Sequence, residues 1–429
     1  MTAIREMIDT GVEWLDRLPA DWAVAALGRE CWVRARLGWK GLKADEYVDE
    51  GGFPMLSTPE IKGRAIDFKS AARITDARFI ESPEIMIRVG DVLLSKDGTI
   101  GAVNIVREVP EPATVNGSIA LLTPSKNLNS EYLYYVLQSK YAQAVFERLR
   151  GGAGVPHLFQ RDINRIRIPL PPSDVQRDIA DYLDYETAQI DALVTKQTEF
   201  IGLLRERRSA VVKQAIAQAA DLFGVDKLGR SAKVGNGSTP RRDVDAYWRD
   251  GDVPWLTSTV VNRPQVDSAD QFVTAAAVRE CHLPMLDPGA LLIGLIGQGP
   301  TRGMATISRV RATLSQNLAY IAPDRTKWVP EYLLWALRAV YSEIRQRGAE
   351  SGAAQGMLNT DDIRRVRVAR PSIEEQRRIA NRLDKQTARI DALIAKAEEH
   401  IALAEERRSA LITAVVTGQI KVRTSRKAS

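Results

Sequence analysis

The sequence predicts an α/β fold class: two mixed α+β domains, each followed by a long helix, arranged as a tandem repeat. Three observations carry this. Residues 176–210 recur at 376–410 with about 21 of 35 positions identical at an offset of 200, and the polar positions match as well as the apolar ones. Shared helical periodicity does not explain that, so the chain is read as a duplication. The likeness extends outward, since Glu131-Tyr132-Leu133 recurs as Glu331-Tyr332-Leu333, Asp162-Ile163 as Asp362-Ile363, and Arg165 and Arg167 as Arg365 and Arg367. Between these anchors the halves diverge, as expected of one frame presenting two different surfaces.

In order along the chain, residues 1–170 read as the first domain. Asp91-Val92-Leu93-Leu94-Ser95 is a buried strand, a helix is expected at about 130–147, and glycines punctuate the strands. A turn, Lys96-Asp97-Gly98-Thr99-Ile100-Gly101, follows the strand. Residues 171–220 form the first long helix. Ser173-Asp174-Val175-Gln176 fits a capping box directly after Pro171 and Pro172. Residues 221–370 repeat the domain, with the strand Ala290-Leu291-Leu292-Ile293, the turn Gly297-Gln298-Gly299-Pro300-Thr301-Arg302-Gly303 and a helix at about 330–346. Residues 371–420 form the second long helix, started by Ser372-Ile373-Glu374-Glu375 and stopped at Gly418. Residues 421–429 are a basic tail.

Within the first long helix Ile190, Val194, Gln197, Ile201, Leu204, Arg208, Val211 and Ala215 alternate steps of four and three. Ile390, Ile394, Ala397, Ile401, Ala404, Arg408, Leu411 and Val415 repeat the pattern. That is a heptad seam, and each helix is roughly 65 Å long at 1.5 Å per residue. A narrow seam needs a partner helix, and the sister repeat already has the matching period. The seam pattern leaves parallel and antiparallel pairing open; the antiparallel form would relate the halves by a pseudo-twofold axis, which suits the dyads of a DNA duplex. Glu206-Arg207-Arg208-Ser209 recurs as Glu406-Arg407-Arg408-Ser409, so Glu206, Arg207, Arg208, Glu406, Arg407 and Arg408 are candidates for docking two copies of one partner.

The formal net charge is +6. The long helices sum to −2 and the tail to +4, which leaves about +4 on the domains. Any DNA affinity must therefore come from local clusters. Base reading in a groove uses Arg or Lys for guanine, Asn or Gln for adenine and Ser or Thr as adaptable partners. On that rule the first domain offers Lys62, Arg64, Lys96 and Thr99, and the second Arg241, Arg242, Ser258, Asn262, Arg263, Gln298 and Arg302.

Catalytic tools are missing. There is no NPPY-like tetrapeptide, no FxGxG loop for S-adenosylmethionine, no Walker A motif and no nuclease-type PD…D/ExK spacing. Two cysteines and three scattered histidines argue against a zinc site or a disulfide framework. No uninterrupted apolar stretch approaches about eighteen residues and no signal core opens the chain, so a cytoplasmic protein with no catalytic residue and no metal is expected.

The order of domain, long helix ending in ERRSA, second domain and second such helix running into Val416-Thr417-Gly418-Gln419-Ile420 resembles the specificity subunit of a type I restriction-modification system. Gly11-Val12-Glu13-Trp14-Leu15 with Pro19 and Trp22, Pro169-Leu170-Pro171-Pro172 before Gln176, and Val253-Pro254-Trp255-Leu256 support the likeness. The resemblance implies two target-recognition domains, each reading one half of a bipartite DNA sequence. It implies an antiparallel coiled coil that acts as a spacer and docks two methyltransferase subunits, which bring S-adenosylmethionine, with endonuclease/translocase subunits joining that core. The segment 221–228 departs from the pattern, lacking the Glu-Trp-Leu of residues 13–15. The rival expectation is an adaptor that recruits proteins through two domains and a coiled coil without touching DNA.

Overall fold

The computed structural model describes residues 6–12, 15–35, 43–63, 65–151, 156–297, 299–349 and 356–422. The chain divides into two compact units, one of residues 1–197 and 399–429, the other of residues 198–398. The division cuts both long helices, Ser173–Phe223 and Ile373–Val416, so each helix gives one stretch to each unit.

In the first unit a four-stranded antiparallel sheet runs in the order Cys31–Arg34, Ile119–Pro124, Val92–Ser95, Val103–Ile105. Strand side chains alternate between faces. Val92 and Leu94 thus join the core shared with Ile179, Leu183, Ile412 and Val415 of the long helices, while Leu93 joins a second core with Leu56 and Val115. Both faces are covered, which is why the strand reads as an unbroken apolar run. The second core lies against a smaller sheet of Thr114–Val115, Phe53–Leu56, Ala72–Ile74 and Tyr47–Val48. Arg34, fully buried, fastens the first strand: its guanidinium donates to Asp91 at 2.7 Å, to the Thr123 hydroxyl at 2.6 Å and to the Glu84 and Met86 carbonyls at 3.0 and 3.1 Å. A buried charge is tolerated only with several such partners, and here they take both terminal nitrogens while the buried Nε has none among the described residues.

The second unit repeats this plan. Its main sheet runs Ala232–Asn236, Leu318–Pro323, Leu291–Gly294, Ala305–Ile307, and its smaller one Gln271–Val273, Val253–Leu256, Thr313–Leu314. Leu291 and Ile293 face the core that contains Ile379 and Leu383, and Leu292 faces the core of Leu256 and Leu314. Each expected domain helix is two: Ser130–Gln138 with Lys140–Leu149, and Pro330–Ala339 with Tyr341–Ala349. Ser139 makes the first break, because its hydroxyl caps the following helix at the Ala142 N–H while its backbone is extended.

The long helices pair antiparallel within each unit. Arg408 meets Asp191 at 3.1 Å in the first, whereas Arg208 meets Asp391 at 2.7 Å and Arg205 meets Glu398 at 3.2 Å in the second. Of the seam residues, Ile190, Ile201, Leu204, Ile390 and Val415 are buried and Val194, Val211, Ile394, Ile401 and Leu411 are half-buried. Val212 and Ile412, one place on, are more deeply buried than Val211 and Leu411 because there the helices turn into the domain cores. The first helix runs on to Phe223, where Gly224 at φ +69° ends it, and Gly418 at φ +71° follows the second. Past Gly224, the segment that departs from the family pattern forms the strand Val225–Lys227, paired with Arg367–Ala369, just as Ala23–Ala26 pairs with Arg167–Leu170.

The first capping box takes another form. Gln176, fully buried, accepts from the Asn129 N–H at 2.8 Å and donates to the Asn127 and Pro171 carbonyls, both at 2.9 Å. Gln376 does the same to the Val329 N–H at 2.8 Å and the Lys327 and Pro371 carbonyls at 2.8 and 2.9 Å. Each glutamine thereby fastens a long helix to the loop before its domain helix. In the second cap, the Ser372 hydroxyl accepts from the Glu375 N–H at 3.3 Å, while the Glu375 carboxylate is taken by Arg378. Gln376→Ala leaves a buried N–H and two carbonyls without these bonds, so the second unit should lose about 2–4 kcal/mol. A lowered urea midpoint checks this, and an unchanged one contradicts it.

Candidate nucleic-acid interface

In the first domain the short helix Thr58–Ile61 begins in a capping box, with the Ser57 N–H donating to the Glu60 carboxylate at 2.8 Å. It delivers Lys62 to the turn that follows the central strand, where the ammonium donates to the Thr99 hydroxyl at 3.4 Å. Gly98 and Gly101 hold that turn at φ +67° and +86°, conformations that a side chain disfavours. Lys62 and Thr99 are exposed and adjacent. Lys96 is instead nearly buried, its ammonium 3.1 Å from Asp97, whose other oxygen is hydrogen-bonded to His157. Its charge is thus already paired within the turn. Arg64 lies outside the described residues.

The second domain places Ser258–Asn262 where the first has Thr58–Lys62, at the repeat offset of 200. Asn262 is exposed, and Ser258 and Arg263 are half-buried. Arg263 is held by Asp270 at 2.6 Å and by the Ser268 carbonyl at 3.2 Å. Arg302 donates to the Gly356 carbonyl at 2.6 Å, and Gln298 lies outside the described residues. Arg241 is paired with Asp243 at 2.7 Å; that hydrogen bond raises the Arg241 pKa and holds the Asp243 carboxyl below its ordinary value.

Arg242 is built differently from its neighbour. Its guanidinium lies 3.9 Å from the centre of the Trp248 ring and 5.0 Å from that of Trp255, and it donates to the Gln271 amide oxygen at 2.8 Å. The two indoles meet edge to face at 5.2 Å, each anchored by its N–H, to the Arg241 and Ser238 carbonyls. An exposed arginine pinned flat on indole keeps its donor fork oriented, as recognition of a phosphate or a guanine edge requires. Reading by residue type missed Trp248 and Gln271; the tryptophan seven places after Arg241 was the available signal.

The recurrent charges on the long helices separate by direction. Arg208 and Arg408 turn inward to Asp391 and Asp191, whereas Glu206, Arg207, Glu406 and Arg407 are exposed. No group of three or more metal-ligating side chains exists among the described residues, and no helix there is long and apolar enough to cross a membrane. Burial pushes the Cys31 thiol up to about 12, far from a nucleophile's range.

A family model for the type I restriction modification DNA specificity domain matches residues 38–200 and again 223–402. The chain belongs to this family. It is a DNA-recognition subunit that works with other restriction-modification subunits, and it is not the catalytic one. The chain is 23% identical to a Methanocaldococcus jannaschii protein described as the MjaX type I restriction enzyme specificity subunit, over 96% of each chain. It is 20% identical to the EcoKI specificity subunit of Escherichia coli K12, over 88% of this chain and 84% of that one. In fold it is similar to a chain from a structure of type I R-M system assembly, with a TM-score of 0.67 and 17% identity over 94% of this chain and 99% of that one. The HsdS subunit from Thermoanaerobacter tengcongensis gives a TM-score of 0.53, 17% identity and coverage of 94% and 98%. The adaptor alternative is not favoured by this family.

Trp248→Ala releases Arg242 from its ring and should weaken binding of duplex DNA about fivefold, with Trp248→Phe retaining most of the affinity. Fluorescence anisotropy on a labelled duplex checks this; equal affinities for the three proteins contradict it.

Proposed function

We propose that each domain reads one half of a bipartite DNA target, that the paired long helices set the half-site spacing, and that their outer faces dock two methyltransferase subunits. One observation carries the reading: two units with the same four-stranded main sheet present different side chains at equivalent places, Lys62 in one and Asn262 in the other. A common frame with different donors is what two different half-sites require. Arg241, Arg242, Ser258 and Arg302 extend the second reading surface.

Docking is supported by the helices' unpartnered outer residues. Leu193, Leu203, Leu393 and Leu403 are exposed at repeat-equivalent positions, in the same helices as Glu206, Arg207, Glu406 and Arg407. Two equivalent apolar and charged faces suit two copies of one partner. In this proposal the methyltransferase subunits supply S-adenosylmethionine and modify one adenine per half-site, endonuclease/translocase subunits complete the assembly, and the complex acts on DNA in the cytoplasm.

Long-read detection of methylated adenine, in cells carrying the methyltransferase gene with and without this chain, tests the proposal. A bipartite motif is expected only when the chain is present. Inserting one heptad into both long helices adds about 10 Å, which should lengthen the unspecified spacer by about three base pairs. A motif independent of the chain contradicts the recognition role, and a spacer unmoved by the heptads contradicts the ruler.

A further inference from the structure

Equivalent places beside the long helices are built differently in the two units. In the first, Arg408 bonds Asp191 and donates to the Gln138 amide oxygen at 3.1 Å. In the second, Arg208 bonds Asp391 in the same way, but the residue at the position of Gln138 is Arg338. The Arg338 guanidinium lies 5.3 Å from the Trp335 ring centre and Arg208 lies 5.8 Å from it, so two cations share one indole. Arg338 donates to the Ala305 carbonyl at 3.4 Å and the Pro264 carbonyl at 3.1 Å, and bonds no carboxylate among the described residues. Asp384, which acts electrostatically on Arg338, is occupied by the Trp335 N–H at 2.7 Å.

Two adjoining clefts of about 280 and 480 Å³ open here, sharing Arg208, Ser209 and Arg338. Arg205 and Lys213 line the smaller, Asn262 and Arg263 the larger, and no carboxylate lines either. Burial and the charge of Arg208 push Arg338 down to about 10, with Asp384 opposing, so it remains a cation at neutral pH. Asp391 already pairs Arg208, so Arg338 is the arginine of this cleft bonded to carbonyls alone among the described residues, and an added anion would offset its charge in the half-dry cleft.

We propose that this cleft binds a backbone phosphate of the DNA held by the second domain, giving that domain an anion site that the first lacks. The inference rests on the DNA-reading role proposed above. Two features favour phosphate over an acidic protein side chain. Asp391 takes Nε and Nη2 of Arg208, and carbonyls take Nε and Nη2 of Arg338, so the Nη1 group of each guanidinium is the donor left for an oxyanion with several oxygens. The cleft wall also contains Asn262 and Arg263, the turn that replaces Lys62 of the first domain, so a strand read by that turn passes the opening.

The test uses the full chain co-purified with its methyltransferase subunits and a labelled duplex carrying the methylated motif, titrated between about 50 and 200 mM salt. Arg338→Gln copies the residue that the first unit already accommodates. It should weaken binding about tenfold and lower the slope of log K against log salt by about one, while Arg338→Lys keeps the slope. Unchanged affinity and slope for Arg338→Gln overturn the phosphate site while leaving motif-dependent binding, and hence the DNA-reading role, intact. Loss of methyltransferase subunits with unchanged duplex affinity also overturns it and assigns the cleft to an acidic protein surface. Failure of the unsubstituted complex to bind any duplex overturns both.

Discussion

The antiparallel packing of the two long helices inside each unit is the constraint on which the rest depends. Each helix serves both units, so a residue at a given place in the first repeat meets its partner in the second, and the reverse holds in the other unit: Asp191 with Arg408, Arg208 with Asp391. The half-exposed ion pairs contribute little to stability on their own. They do fix register, while buried Ile190, Ile201, Leu204, Ile390 and Val415 supply most of the energy, at about 1.5–3 kcal/mol for each large side chain fully buried. The duplication is therefore more than ancestry, because the antiparallel pair requires matching faces on both helices.

Gln176 and Gln376 carry that constraint into the domains. By satisfying one N–H and two carbonyls apiece, they set where each domain helix starts relative to a long helix. Tyr135 and Trp335 add a second fixed point about two turns further along each long helix, donating to Asp184 at 2.6 Å and Asp384 at 2.7 Å. With so many fixed points on the helix side, the opposite face of each main sheet is free to differ. Arg34 with Asp91 in one unit and the Arg242–Trp248–Trp255 stack in the other are unlike solutions on like topologies.

What was legible in the sequence follows from the range of the interactions. The duplication, the heptad seam, the central strands and the Gly418 stop rest on local pattern, and local pattern is what residues display. The break at Ser139 was hidden because the two helices it separates share one apolar trend, and only the hydroxyl's choice of the Ala142 N–H divides them. Gln176 read as a capping residue, but two of its three partners lie 47 and 49 residues upstream. Among the candidate DNA contacts, residue type alone did not separate Lys96, neutralised by Asp97, from Lys62, which is exposed, nor Arg241 beside Asp243 from Arg242 on its indole. Whether a cation is already occupied depends on a partner brought near by folding.

The central claim is that a common frame carries two independent reading surfaces. Exchanging residues 225–350 for the same segment of another member of the family, then mapping methylated adenine by long-read sequencing, tests it most directly. The account predicts that one half of the motif changes while the other half and the spacer stay as they were. A change in both halves, or in neither, would contradict it.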